Sequence, residues 1–346
     1  MTHQLLWVGT YTPGSDPPGS GAGVHRVWLD HSSGELSGGE AAAATTGPSY
    51  LAAHPTRPLL YSVNECTTGR VTGFAVREGG ELTELADAST GGCAPCHLTV
   101  HPDGRHVSVA NYADGTVSVH PVGADGAPLP PVRVLPHTGS GPDERQQGPH
   151  AHHVRVPRGG GELLVADLGT DELRRHPLTA DARPDGGPVA ARFPPGSGPR
   201  HVVSHPDGGL CVVGELDSRI HVLRWEPCGT ALRWETAVAA TERTGENHPA
   251  AVVRPEGGRR LYVSNRGAGT VSAFELPARG APPRFLAETP SGGTWPRHVA
   301  LAGRYLVAAN QDTGLLAVLA LDDETGVPVD TGNRMQLGSP ACVLPA

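Results

Sequence analysis

The chain has 346 residues, of which 47 are glycine and 34 proline, with 38% hydrophobic and 18% charged residues. So much backbone punctuation excludes long helices, while the apolar fraction suffices for a sizeable core. A net charge of −8 without a basic cluster speaks against nucleic-acid or anionic-membrane partners, and because all 27 basic residues are arginine, lysine Schiff-base chemistry is excluded.

Taken in chain order, Leu5-Leu-Trp-Val-Gly-Thr-Tyr11 and Gly23-Val-His-Arg-Val-Trp-Leu29 are predicted strands. The N-terminus lacks a basic segment followed by a long apolar one, and no apolar run approaches ~18 residues, so a soluble cytoplasmic protein is expected. From Pro48 onward one pattern recurs: a proline, an alternating apolar stretch, a His-Pro-Asp-Gly-like turn, a second apolar stretch ending in a polar pair, a Gly-containing turn and a third strand. The copies begin at Pro48, Pro95, Pro149, Pro199, Pro249 and Pro296, separated by 47, 54, 50, 50 and 47 residues. A seventh anchor, Pro340, is followed by one strand's worth of chain. That strand would complete the N-terminal unit and close a ring, giving an all-β, seven-bladed propeller of four-stranded sheets as a single domain over residues 1–346.

In such a ring the first strand of each blade lines the channel. The residues after each anchor and those ending each second strand then converge at one mouth, with the His-Pro-Asp-Gly turns on the opposite face. The mouth set includes His150, His152, Arg200, His201, Arg297 and His298 after the anchors, and Asn64, Glu65, Glu215 and Arg266 at the strand ends. Its cations and hydrogen-bonding groups suit a small anionic, polyhydroxylated molecule, although Asn and Asp at strand ends also serve simply as turn formers. On one strand, His150 and His152 would share a face and His153 take the other. No third ligand accompanies them at fixed spacing, so neither a metal nor any other cofactor is expected. Cys93-Ala-Pro-Cys96-His97 matches a c-type haem attachment string, but His97 shares its register with His201 and His298, which makes it part of the repeat. The six cysteines, at 66, 93, 96, 211, 228 and 342, are too sparse for a disulfide framework. His54, His101 and His205 are expected to stabilise far-face turns.

The strings Arg145-Gln…Pro-His-Ala-His152, Gly198-Pro-Arg-His201, Glu215-Leu-Asp-Ser218, Ser264-Asn-Arg266 and Trp295-Pro-Arg-His298 resemble those of the seven-bladed propeller lactonases, the bacterial 6-phosphogluconolactonase type, which are related to carboxymuconate cyclases. The resemblance spans nearly the whole chain and implies hydrolysis of a sugar δ-lactone, phosphorylated in the parent case; with no third metal ligand in the sequence, a metal-independent reaction is expected. The resemblance places His150, Arg200, Glu215 and Arg266 at the active site, and the needs of lactone hydrolysis then assign Glu215 as general base, His150 with His152 as proton relay, and Arg200 with Arg266 as oxyanion and substrate clamp. Arg145, Gln146, His201, Arg297, His298, Asn64 and Glu65 are expected around the substrate. Gly214 departs from the pattern where Asn usually precedes the Glu, and Ala268-Gly269 replaces a more polar pair. A lactonising cyclase or a non-enzymatic binding platform are the alternative readings.

Overall fold

A computed structural model describes residues 3–157, 159–178, 187–227, 229–278 and 281–346. The strands pair into seven antiparallel sheets of four. Six sheets follow chain order from the channel outward. The remaining one runs Pro340–Pro345, His3–Thr10, Val24–Asp30, Leu36–Ala43, so the C-terminal strand is the inner strand of the N-terminal blade, with Leu6 opposite Pro345 and Val8 opposite Val343. The expected ring closure is therefore how the first blade is built.

Blades 2 to 7 begin with the inner strands Leu51–Ala53, Pro95–Val100, Ala151–Arg155, Pro199–Ser204, Pro249–Val253 and Pro296–Ala302. Their second strands are buried along all or nearly all of their length, Leu59–Asn64 and Leu210–Gly214 throughout, because the blades on both sides cover them. The apolar core is accordingly divided among the blade interfaces. One cluster joins Leu6, Val8 and Val27 to Val307, Leu316 and Val318 across the ring closure, and another joins Tyr61 and Val63 to Leu98 and Val107. Gly9 is required where blade 1 meets the entry to blade 2: a Cβ there would lie 1.9 Å from the Pro48 carbonyl oxygen.

The far-face histidines do more than shape their own turns. His54 Nε2 hydrogen-bonds to Gly104 O at 2.9 Å and His101 Nε2 to Gly160 O at 3.0 Å, each the turn of the following blade. His205 is held instead by Arg224, 2.7 Å from its Nδ1. Among the described residues the one helical turn is Glu78–Gly80, and no helix is long and apolar enough to cross a membrane. Cys66, Cys93, Cys96, Cys211 and Cys342 are free thiols, and Cys228 lies outside the described residues.

Candidate active site at the channel mouth

In blades 3, 4, 5 and 7 the inner strand starts on a residue paired with the last residue of the second strand: Pro95 with Asn111, Ala151 with Asp167, Pro199 with Gly214 and Pro296 with Asn310. The next pairs are His97 with Ala110, His153 with Ala166, His201 with Val213 and His298 with Ala309, so one inner-strand residue is skipped in every case. The skipped residues are Cys96, His152, Arg200 and Arg297. A bulge of this kind re-aims the side chain it carries. Cys96, His152 and Arg297 thereby reach a cavity of about 310 Å³ at the channel mouth. Glu65, Tyr112, Glu215 and Arg266, each the residue immediately after a second strand, supply much of the remaining wall, and Arg145 and Asp16 enter from loops.

Two carboxylates face this space in different surroundings. Glu215 is ion-paired with three guanidiniums: Arg145 Nη2 lies 2.7 Å from Oε1, while Arg200 Nε and Arg266 Nη2 lie 2.8 and 2.6 Å from Oε2. Burial alone would push its carboxyl pKa up, but Arg266, Arg200 and Arg145 overcome that and hold it well below the usual range. Glu65 has its Oε2 occupied by the Tyr11 hydroxyl at 2.9 Å and by the Ser49 hydroxyl, and its Oε1 faces Arg297 Nη2 at 3.7 Å. Here burial wins, and the pKa is raised in spite of Arg297 and the two hydroxyl donors. Arg297 stacks its guanidinium 4.9 Å over the Tyr11 ring and has no close ion pair, so it is the cation of the cavity least committed to a protein partner.

Beneath the cavity, the residues after the bulges form a buried aromatic layer across the channel. His97 lies 4.0 Å from both Tyr50 and His153, ring to ring, and His201 lies 5.0 Å from His153. Val154 N donates to His97 Nδ1 and Val343 N to His298 Nδ1, at 3.4 and 3.3 Å. Burial depresses the pKa of His153 and of His298 to about 3, with Arg155 and Arg200 adding to it at His153 and Arg200 and Arg297 at His298. His97, His152 and His201 are also pushed down by burial, so the layer consists of neutral imidazoles. Among the described residues no group of three or more His, Cys, Asp or Glu is arranged to hold a metal ion.

A family model described as "Lactonase, 7-bladed beta-propeller" matches residues 5–345. The chain belongs to that family. Its similar relatives include a 6-phosphogluconolactonase of Bacillus subtilis, 32% identical over 99% of this chain and 98% of that one. A putative 6-phosphogluconolactonase from Bacteroides fragilis superimposes with a TM-score of 0.91 at 30% identity, covering 100% of this chain and 98% of the other. A periplasmic gluconolactonase from Pseudomonas aeruginosa gives the same TM-score at 30% identity, with 99% of both chains covered.

In this lactonase-family propeller Glu215, Arg266, His152, Arg145, Glu65 and Arg297 meet at one cavity, and Arg200 stands behind Glu215 with its Nη1 donating to Ala250 O at 2.6 Å. Other expected residues lie elsewhere. His150 precedes the inner strand and stacks on Tyr112 with ring centroids 4.6 Å apart, its Nδ1 2.8 Å from Tyr112 O, so it does not share a face with His152. The cause is that blade 4 is anchored on Ala151 rather than Pro149, with the bulge at His152. Gln146 spends its amide on Leu168 O and Asp171 Oδ1, at 2.7 and 2.8 Å, and fastens a loop. His201 and His298 belong to the neutral layer below. Asn64 bonds Thr45, Thr46 and Thr72 and acts as a turn former. Cys96, Tyr112, Ser49, Tyr11 and Asp16 were not among the expected site residues. The first four stand at the two register positions that the repeat brings to the mouth, so their place was expected although no role was given to them.

The Gly214 departure has a local explanation. A Cβ there would lie 2.2 Å from Asp217 Oδ1 and 2.9 Å from His221 Nε2. In blade 6 the corresponding Asn265 donates to Ser272 Oγ at 2.9 Å, and His221 stands where that serine does. His221 Nε2 is 3.0 Å from Asp217, and its Nδ1 receives Trp234 Nε1–H at 3.1 Å, so an Asp–His pair replaces the asparagine network behind Glu215.

Proposed function

We propose that the chain hydrolyses a sugar δ-lactone carrying an anionic group, of the 6-phosphogluconolactone type, in the channel-mouth cavity. The observation that carries this reading is the presence, in one cavity of a lactonase-family fold, of a carboxylate of raised basicity beside an array of fixed guanidiniums. Ester hydrolysis needs a base for water, cationic donors for the oxyanion and a proton for the departing ring oxygen. Glu215 was expected as the base, but three guanidiniums draw down its affinity for a proton. Its better-supported role is to lock Arg145, Arg200 and Arg266 in place, so that little reorganisation is needed when negative charge develops on the carbonyl oxygen.

Glu65 is the better proton acceptor. Its Oε1 takes a proton from water as the oxygen bonds to the lactone carbonyl carbon, and the electron pair of the C=O bond moves to an oxygen facing the Arg266 side. Collapse of this intermediate breaks the bond to the ring oxygen, which receives the proton back from Glu65. His152, neutral and with Nδ1 unpartnered and buried, offers a hydrogen-bonding group to the same region without adding charge. Arg297 holds the substrate's anion. The direct test is hydrolysis of 6-phosphogluconolactone by the purified protein with the spontaneous rate subtracted, run beside the unphosphorylated lactone. A rate at background on both substrates overturns the reading.

A further inference from the structure

At the end of the channel opposite the cavity, the repeat is broken twice in a way that the reaction does not use. Arg155 pairs with Leu164 at the inner-strand position that the other blades fill with Leu344, Ala52, Thr99, Val203, Val253 and Ala300. One residue further along, blade 6 carries Arg254 where the others carry Pro, Ala, Val, Ser or Leu. A charge at a position the repeat fills with small or apolar side chains is a local violation of the kind that marks function.

The two guanidiniums converge on the strand between them. Arg155 Nη2 donates to Ser204 Oγ at 2.5 Å, and Arg254 Nε to Ser204 O at 2.9 Å. Arg254 is steadied by Nη1 bonds to Pro255 O and Gly258 O, at 2.9 and 2.6 Å. Both line an open pocket of about 680 Å³ together with Ser204 and His205. Burial and the neighbouring Arg254 charge push the Arg155 guanidinium pKa down. By contrast, buried Arg224 is neutralised by Glu235 and half-buried Arg174 by Glu172. Neither Arg155 nor Arg254 is ion-paired with a carboxylate among the described residues. Glu256 also lines the pocket, exposed and engaged in its own contacts, and His205, pushed down to about 4 by burial and Arg224, is neutral.

We propose that this far-mouth pocket binds a small multivalent oxyanion of the phosphate type, held between the Arg155 and Arg254 guanidiniums. Arg155 Nε and Nη1 and Arg254 Nη2 carry N–H groups with no bond to a described residue, and charged donors from two guanidiniums that line one pocket suit a tetrahedral oxyanion. The site is separated from the catalytic cavity by the imidazole layer, so it stands or falls independently of the lactonase reading.

The test is calorimetric titration of the full-length protein with inorganic phosphate, at an ionic strength fixed with chloride. Because the catalytic cavity is itself cationic, the titration is repeated in Arg297→Ala. Binding that survives Arg297→Ala and weakens about tenfold or more in Arg155→Val is the expected result. Valine is the residue blade 5 carries at this position, so the phosphate-free variant is expected to melt no lower than the parent. Arg155→Gln repeats the test with a polar side chain should the valine variant fold poorly. Phosphate binding that is absent, that disappears in Arg297→Ala, or that is unchanged in both Arg155 variants overturns the proposal.

Discussion

Glu65 and Glu215 enter the same cavity at the same register, one from blade 2 and one from blade 5, yet burial dominates one and charge the other. Glu215 has three guanidiniums within 2.8 Å and is held as an anion. Glu65 has two hydroxyl donors and a more distant arginine, and its proton affinity rises. Position in the repeat therefore decides where a side chain points, and the neighbours the ring brings to it decide what it can do chemically.

The sharpest way to break this comparison is to neutralise each carboxylate in turn. Glu65→Gln should lower kcat by roughly 10²–10⁴ with little change in KM in steady-state kinetics, because it removes a group that acts only in the transition state. Near-normal turnover would return the base role to Glu215. Glu215→Gln should instead appear first as instability, since it leaves buried guanidiniums unpaired: a loss of about 3–5 kcal/mol in denaturant unfolding. Undiminished stability there would contradict the locking role.

Arg297→Ala should raise KM by roughly 10–100-fold for a phosphorylated lactone and much less for its unphosphorylated analogue, with Arg297→Lys recovering only part of the loss. Equal effects on both substrates would remove the anion from its partner.

The pH profile separates the two carboxylates without mutation. A base must be deprotonated, so with Glu65 in that role the acid limb of kcat/KM falls above the ordinary glutamate range, whereas with Glu215 activity would persist well below it. Folding follows the complementary sign. The depressed Glu215 contributes stability that is present above its unfolded pKa and is lost as pH falls through its folded one, while Glu65 contributes a cost that appears as pH rises and it ionises. The smallest effect is expected on the other face: His101→Ala removes an inter-blade bond to Gly160 and should lower stability by ~1 kcal/mol in thermal melts while leaving kinetics unchanged.

The ring, its closure and the mouth were legible because they follow from the repeat: anchors about 50 residues apart, and a last anchor with one strand after it. The placement of His150 was not legible. A proline two residues ahead of the true anchor imitates the pattern, and a bulge adds a residue that strict alternation cannot count. Nor could the surroundings of Glu65 and Glu215 be told apart, because Arg266 and Arg297 reach them from other blades and Arg145 from a loop. The Gly214 departure looked like a loss, yet Asp217 and His221 fill its place through the fold.

The pairing of Leu6 with Pro345 also bears on how the molecule comes into being. The strand His3–Thr10 is synthesised before the six other blades, but its channel-side partner only after them: Gln4 and Ala346, which hydrogen-bond, are 342 positions apart. During synthesis that strand presents an unpaired edge while six other blades form beside it, each from contiguous chain. Completion of the ring is then the slow, late event, and a nascent chain delayed before it offers this edge to any other unfinished copy nearby.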